Sequence, residues 1–94
     1  MSHFHPHARR DATHKAVVMA LRAIGCSVVD LGGVGDGVPD LLVGRNGRSW
    51  LLEVKSLKGR VNPLQATWAA RWRGPKVRVV HDAAEAVAVV GRLA

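Results

Sequence analysis

The chain has few acidic residues, a single cysteine and no long apolar run. Its 94 residues include seven Asp and Glu against fourteen Lys and Arg. The one cysteine, Cys26, excludes a disulfide within the chain and is typical of a reducing compartment. No apolar run approaches the ~18 residues of a membrane span, and the N-terminal MSHFHPHARR lacks the apolar segment of a secretory signal. We therefore expect a cytoplasmic protein rather than a secreted or membrane-spanning one.

The excess of positive charge indicates a polyanionic partner. The net charge is +7 and the isoelectric point is near 11.2. Basic domains of this size usually bind nucleic acid or an anionic membrane. Binding to a membrane surface would favour a basic amphipathic helix, and the sequence shows none. Nucleic acid is the expected partner, and a basic surface with no partner is the alternative.

The length predicts one small domain that follows a short arm. A chain of this length normally forms a single domain, and 48% hydrophobic residues are too many for a disordered chain. Residues 1–10, with alternating histidines followed by Arg9 and Arg10, are interpreted as a flexible arm, and residues 11–94 as the domain. A domain this small buries only about 60–65% of its unfolded surface, so dimerisation would add stability.

Hydrophobic periodicity and turn residues predict the element order α-β-β-β-α-β-α. The predicted helices cover residues 12–24, 63–73 and 83–93, and the predicted strands cover residues 27–31, 39–44, 49–56 and 76–80. Asn46-Gly47 predicts a tight hairpin, and the glycine-rich segment 32–37 is interpreted as a flexible bend. The middle helix is a suitable crossover between parallel strands. The expected fold is α/β, with a four-stranded mixed sheet flanked by helices.

Charged residues fall within two predicted strands that are otherwise apolar. Strand side chains alternate between faces, so Glu53 and Lys55 point the same way, and the hairpin brings Asp40 close to Glu53. Buried charges need partners. Two explanations remain open: the three side chains neutralise one another as a salt-bridge cluster, or a metal ion completes the set. Carboxylate ligands suit Mg²⁺ or Mn²⁺, and a nearby lysine would assist hydrolysis of a phosphodiester.

The same residues resemble a known superfamily of nucleases. Pro39-Asp40, twelve intervening residues and Glu53-Val54-Lys55 are similar to the PD-(D/E)xK pattern. Gly37 two residues before Pro39, a Lys/Gly/Arg loop after the lysine, and then Pro63-Leu64-Gln65 and Trp68 resemble the VRR-NUC family. Small stand-alone members of that family occur in phages and bacteria. The resemblance extends from about Ala12 to the last helix and implies a restriction-endonuclease-like core.

The resemblance implies a role for each matching residue. Asp40 and Glu53 would be metal ligands, together with the backbone carbonyl of Val54. Lys55 would be the catalytic lysine. Gln65 matches a glutamine that the family places near this lysine at the start of the next helix. Gln65 also fits a capping box at that helix start, and the two roles are compatible.

The first helix departs from the family pattern. The family tends to place an acidic residue, usually Glu, on this helix, but the corresponding segment here contains Thr13, His14 and Lys15. Asp11 is the candidate replacement and His14 is a weaker one, although Asp11 also suits a helix cap. If neither reaches the site, one metal ion is expected rather than two.

Basic residues in three places are the expected contacts with DNA phosphates. They are Arg9 and Arg10 in the arm, Arg45 and Arg48 at the hairpin, and Lys58 and Arg60 in the loop after the third strand. The sequence contains no base-reading motif such as a zinc finger. We therefore expect recognition of the shape and charge of DNA rather than of its sequence.

Two tryptophans lie on one side of the predicted middle helix. Trp68 and Trp72, one helical turn apart, are interpreted as core or as a dimer interface, with base stacking as the alternative.

The resemblance implies a Mg²⁺- or Mn²⁺-dependent endonuclease for branched DNA, similar to Holliday junction resolvases. A symmetric homodimer would place two sites on two strands of a four-way junction. The alternative is a non-catalytic DNA-binding phage accessory protein, which the absent first-helix Glu favours. No organic cofactor and no membrane partner are expected.

Overall fold

The computed structural model describes residues 8–91, which contain three helices and four strands. The elements are α1 (Ala8–Ala23), β1 (Ser27–Asp30), β2 (Leu41–Arg45), β3 (Arg48–Val54), α2 (Pro63–Arg71), β4 (Val77–Val80) and α3 (Ala83–Gly91). The predicted order α-β-β-β-α-β-α is confirmed. Within this part of the chain, no helix is long and apolar enough to cross a bilayer.

Some element boundaries differ from the prediction. The first helix begins at Ala8 instead of near residue 12, so residues 8–10 continue the helix backwards into the predicted arm. Alanine and arginine are among the strongest helix formers, and the last proline before this helix in the sequence is Pro6. The rest of the predicted arm, residues 1–7, lies outside the described residues. β2 and β3 are shorter than predicted at the ends that carry Asp40 and Lys55, so both residues lie just beyond a strand.

The four strands form one mixed sheet in the order β1-β2-β3-β4. β1 and β2 are antiparallel, as are β2 and β3, whereas β3 and β4 are parallel. The parallel pair requires a crossover connection, and α2 lies in it. The predicted mixed sheet and the predicted crossover are therefore both confirmed.

The hairpin between β2 and β3 sets the alignment of the two strands. Arg45 pairs with Arg48 across a two-residue loop. Asn46 has φ 52° and Gly47 has φ 77°, the left-handed pair of a turn whose twist matches that of the flanking strands. With this loop fixed, Leu41 lies opposite Leu52. The next positions outward on the two strands are Asp40 and Glu53.

The hydrophobic core lies on one face of the sheet, beneath α1 and α3. Its buried residues are Val17, Leu21, Cys26, Leu41, Val43, Leu52, Val54, Val80, Ala86 and Val90. Trp50 packs against this cluster, as the alternation of β3 predicts. Burial raises the pKa of the Cys26 thiol, and nearby Arg45 partly opposes that rise. Cys26 thus behaves as the small apolar residue that the sequence indicates.

The assignment of the core face predicts which leucines stabilise the fold. Leu52 is fully buried, whereas Leu57 is 83% exposed. We expect Leu52→Ala to lower the free energy of unfolding by about 2–5 kcal/mol, because it leaves a cavity in the core. Leu57→Ala, the matched control, should change it by no more than about 0.5 kcal/mol. Urea denaturation measures both, and equal losses would contradict the assignment.

Candidate active site

Asp40 and Glu53 are the two buried polar or charged residues of the described part of the chain. Asp40 is 8% exposed and Glu53 is 2% exposed. Asp40 immediately precedes β2, and Glu53 is the penultimate residue of β3. Because Leu41 and Leu52 point into the core, the alternation of the strands turns Asp40 and Glu53 towards the opposite face. The predicted proximity of these positions follows from the hairpin register.

Two hydrogen bonds hold Asp40 at the start of β2. Its carboxylate Oδ2 accepts a hydrogen bond of 2.8 Å from the backbone N–H of Val54. Its backbone carbonyl accepts one of 2.7 Å from the N–H of Leu31. The preceding residue, Pro39, is fully buried. Asp40 therefore links the end of β3, including the predicted ligand Val54, to the segment that follows β1.

The carboxylate of Glu53 is held by two side chains. Its Oε2 lies 3.2 Å from the Nζ of Lys55 and accepts a hydrogen bond of 2.7 Å from the Nε2 of Gln65. The side chains of Lys55 and Glu53 are only 13% and 3% exposed, so solvent screens their attraction little. The structure thus brings two predicted catalytic residues, Lys55 and Gln65, into direct contact with a third, Glu53, and places Asp40 just before the neighbouring strand.

Gln65 joins this cluster to the first turn of α2. Its side-chain Oε1 accepts a hydrogen bond of 3.0 Å from the N–H of Asn62, and the Oδ1 of Asn62 accepts one of 2.9 Å from the N–H of Gln65. This is the predicted capping box. Because Oε1 faces a backbone donor, the amide must present Nε2 to Glu53. Capping and contact with the site therefore occur together.

The charges of the cluster are unequal. Asp40 and Glu53 carry two carboxylates, whereas Lys55 supplies one ammonium group. Burying ionised groups costs several kcal/mol per ion unless attraction and hydrogen bonds compensate. Lys55 compensates the charge of Glu53, and the two carboxylates together offer oxygen donors of the kind that divalent cations bind. Beside the cluster, a cavity of about 100 Å³ is lined by Glu53, Gln65 and apolar residues of β4 and α2.

The two candidate ligands on the first helix do not complete a metal site. Asp11 is exposed in the first turn of α1, where a negative charge favours the helix N-terminus. The Nε2 of His14 lies 3.9 Å from an oxygen of Asp30, on β1. Within residues 8–91, no group of three or more His, Cys, Asp and Glu side chains is suited to hold a metal. The number of metal ions stays a prediction.

The predicted phosphate contacts lie at opposite ends of β3. Arg48 is exposed at the hairpin, whereas Lys58 and Arg60 are exposed in the loop after Lys55. β3 has seven residues and spans roughly 20 Å at about 3.3 Å per residue. The loop pair therefore lies nearer to the cluster than the hairpin does, and the predicted contacts with DNA stay predictions. The side chains of Arg9 and Arg10 lie outside the described residues.

Arg45 makes an unpredicted contact within the fold. Its Nη1 donates a hydrogen bond of 3.2 Å to the carbonyl of Val90 in the last turn of α3. Such carbonyls lack a partner within their own helix, and a basic side chain satisfies one of them here. The hairpin arginine that was predicted to contact DNA therefore also anchors α3.

The tryptophan stripe on α2 is not part of the core. The rings of Trp68 and Trp72 stack with centroids 4.7 Å apart and an interplanar angle of 18°. Trp72 is 45% exposed and Leu64 is 63% exposed, and within the described structure α2 contains no buried residue. The interpretation as core is therefore wrong. The short helix α2 lies over the site, and its apolar stripe stays partly exposed to solvent. The interpretation as a dimer interface stays a prediction.

The glycine-rich segment contains a residue, Gly37, whose contact with α2 the sequence did not indicate. Gly37, interpreted as part of a flexible bend, has φ 84° and lies against the backbone of Leu64 in α2. The signal available in the sequence was a glycine three residues before Asp40, since glycine suits close backbone approaches.

The mixed sheet, the paired carboxylates and the adjacent lysine together agree with a nuclease of the PD-(D/E)xK class. The model of the VRR-NUC domain matches residues 2–84, so the chain belongs to the VRR-NUC family. A solved structure described as a VRR_NUC domain is similar, with a TM-score of 0.72 and 28% sequence identity over 89% of this chain and 96% of that one. None of the curated proteins matches the chain. Family membership implies nuclease activity with DNA as the substrate.

The geometry of the cluster predicts that Lys55 stabilises the fold through Glu53. In EDTA, we expect Lys55→Ala to lower the free energy of unfolding by about 3 kcal/mol, because a buried carboxylate loses its cation. Adding Glu53→Gln should recover at least about half of that loss, because a neutral amide needs no counter-charge. Urea denaturation of the two single variants and the double variant measures the coupling.

The control for this cycle is Lys58→Ala, which removes an exposed lysine of the adjacent loop. It should change stability by no more than about 0.5 kcal/mol. If Lys55→Ala were as mild as Lys58→Ala, the pair of Lys55 and Glu53 would not form in solution.

Proposed function

We propose that the chain is a metal-dependent endodeoxyribonuclease that hydrolyses DNA phosphodiesters at the cluster of Asp40, Glu53 and Lys55. The observation that carries the proposal is the Glu53 carboxylate, buried and held by Lys55 and Gln65 beside a second buried carboxylate. Two buried carboxylates at the ends of adjacent strands offer oxygen donors of the kind that Mg²⁺ and Mn²⁺ bind.

The donor set fits Mg²⁺ or Mn²⁺. Both ions prefer oxygen ligands, and Asp40, Glu53 and the carbonyl of Val54 would provide them. A carboxylate has about four lone-pair sites, so the hydrogen bonds from Val54 and Gln65 are compatible with coordination. Mg²⁺ commonly uses one or two carboxylates and completes its shell with water and substrate phosphate. The bound ion would supply Lewis-acid activation of the phosphate and of a water.

The side chains around this position have separate tasks in the proposed reaction. The ammonium group of Lys55 stabilises the negative charge that develops on the phosphate, or orients the attacking water. Gln65 holds Glu53 in one orientation. Lys58 and Arg60, exposed in the loop after Lys55, bind the DNA backbone and keep the scissile phosphate at the site.

We further propose that the substrate is branched DNA, most simply a four-way junction, and that the enzyme acts as a homodimer. A two-fold symmetric dimer presents two equivalent sites, which suits paired nicks in two strands. Exposed apolar side chains beside the site support a second copy as the partner of this surface. They are Val61, Leu64, Trp72 and Val79, which are between 39% and 63% exposed.

The nuclease proposal predicts metal-dependent cuts that require the cluster. End-labelled four-way junction, flap and linear duplex DNA are incubated with Mg²⁺, Mn²⁺ or EDTA. We expect cuts with either metal and none with EDTA. Glu53→Ala and Lys55→Ala should each lower the rate by about 100-fold or more. Symmetric nicks confined to the junction would identify a junction-resolving activity.

The control for the cleavage assay is Lys58→Ala, which should weaken binding and its salt dependence while leaving saturated cleavage nearly unchanged. Circular dichroism establishes that each variant is folded. Tight DNA binding without cuts under any metal would refute the enzyme and favour a DNA-binding protein that retains the nuclease fold.

The dimer proposal predicts that Trp72→Glu weakens self-association. We expect the dimer dissociation constant to rise by about 30-fold or more, because a charge replaces a central aromatic residue. Sedimentation equilibrium measures it. The matched control is Met19→Glu, at a 63% exposed apolar residue on α1, which should leave association unchanged. A monomeric wild-type protein at micromolar concentration would contradict the proposal.

A further inference from the structure

The backbone of Gly37 lies unusually close to the first turn of α2. A Cβ atom added at this position would be 2.3 Å from the carbonyl oxygen of Leu64, 2.6 Å from its carbonyl carbon and 3.0 Å from the nitrogen of Gln65. Carbon atoms in ordinary contact are about 3.5–4.0 Å apart. The contact is therefore available only to glycine unless the loop or the helix moves.

Among the described glycines with positive φ angles, this closeness is specific to Gly37. Gly25, Gly35 and Gly47 also have positive φ angles, between 77° and 92°, but an added Cβ at each would meet nothing within 4 Å. These positions need glycine for backbone conformation alone. Gly37, with φ 84°, needs it for conformation and for space.

The contact joins the segment that leads to Asp40 and the first turn of α2, which holds Glu53 through Gln65. Gly37 lies three residues before Asp40, in the segment that leads into β2. On the other side of the contact, Gln65 donates the 2.7 Å hydrogen bond to Glu53. Gly37, Glu53 and Gln65 also line the same cavity. The distance between the backbones of Gly37 and Leu64 therefore affects the position of Glu53 relative to Asp40.

We propose that Gly37 is a positioning residue, which sets how closely α2 approaches the sheet and thereby fixes Glu53 through Gln65. The catalytic consequence rests on the proposed nuclease function, whereas the effect on the Gln65 amide does not.

The helix is the part that would yield to a larger residue. Within the described structure, α2 buries none of its residues, so little apolar packing resists its movement. The loop, in contrast, leads directly into Asp40, which is fixed by hydrogen bonds to Val54 and Leu31. Relieving a 2.3 Å contact requires a shift of roughly 1 Å or more, given ordinary carbon contacts. A hydrogen bond of 2.7 Å lengthened by that amount would be broken.

The test compares Gly37→Ala with Gly35→Ala. Both substitutions place a Cβ at a left-handed position of the same loop, but only the first creates a clash with α2. Gln65 is the one glutamine of the chain, so its side-chain NH₂ pair is identified in a ¹⁵N correlation spectrum by its loss in Gln65→Ala. We expect Gly37→Ala to shift this pair to its position in Glu53→Ala, and Gly35→Ala to leave it at the wild-type position.

The spectra separate the inference from the nuclease proposal. An unshifted Gln65 amide in Gly37→Ala, or the same shift in Gly35→Ala, would overturn the inference. A shift confined to Gly37→Ala in a protein that cuts no DNA would support the positioning role and refute the nuclease. Should Gly37→Ala fail to fold, the wild-type protein decides: a nuclear Overhauser effect between the Gly37 α-protons and the Gln65 amide proton is expected, and its absence overturns the inference.

Cleavage kinetics give the catalytic readout. We expect Gly37→Ala to lower kcat by about 10- to 100-fold with KM nearly unchanged, as for a misplacement of about 1 Å. In a Gln65→Ala background, Gly37→Ala should have almost no further effect, because the contact through which it acts is gone. Additive losses in the double variant would show that Gly37 acts by another route and would overturn the inference.

Discussion

A buried carboxylate that must be compensated organises one whole face of this sheet. Glu53 is almost completely removed from solvent, and the penalty for an uncompensated charge there is several kcal/mol. Lys55 and Gln65 supply the compensation. Lys55 is correctly placed because side chains alternate along a strand, whereas Gln65 is placed by the start of α2. Since α2 buries no residue within the described structure, this polar contact and the approach of Gly37 define its position more than apolar packing does.

The two faces of the sheet therefore have different tasks. The face beneath α1 and α3 holds the apolar cluster and supplies most of the burial that stabilises the fold. The face beneath α2 holds the polar cluster and the exposed apolar residues. Substitutions on the first face are expected to act through stability, and those on the second through the chemistry of the site. A chain of 94 residues forms a small domain with little stability to spare, and a buried charged cluster lowers that stability. The separation of the two faces keeps this cluster out of the hydrophobic core.

Local rules were sufficient for the topology and for most of the site. The Asn46-Gly47 turn and the two-residue alternation together predict that Asp40 meets Glu53, and the capping pattern at Asn62 predicts where Gln65 begins its helix. The failures involve long-range contacts. The contact of Gly37 with Leu64 joins parts of the chain that no local pattern relates. Periodicity likewise predicts an apolar stripe on α2 without identifying what covers it, so the sequence did not decide between a core and a dimer interface for Trp72.

The absence of a third acidic ligand has a consequence for how the proposed site would be filled. Asp11 is exposed in the first turn of α1, and the Nε2 of His14 lies 3.9 Å from an oxygen of Asp30. Mg²⁺ holds its water shell tightly and commonly uses only one or two protein carboxylates. A substrate phosphate adds both negative charge and an oxygen ligand. The coupling is reciprocal: the free energy by which the phosphate strengthens metal binding equals the free energy by which the metal strengthens DNA binding. In the proposed reaction, the positive surface that includes Lys58 and Arg60 therefore has a second role, because by bringing the phosphate to the cluster it also completes the metal site.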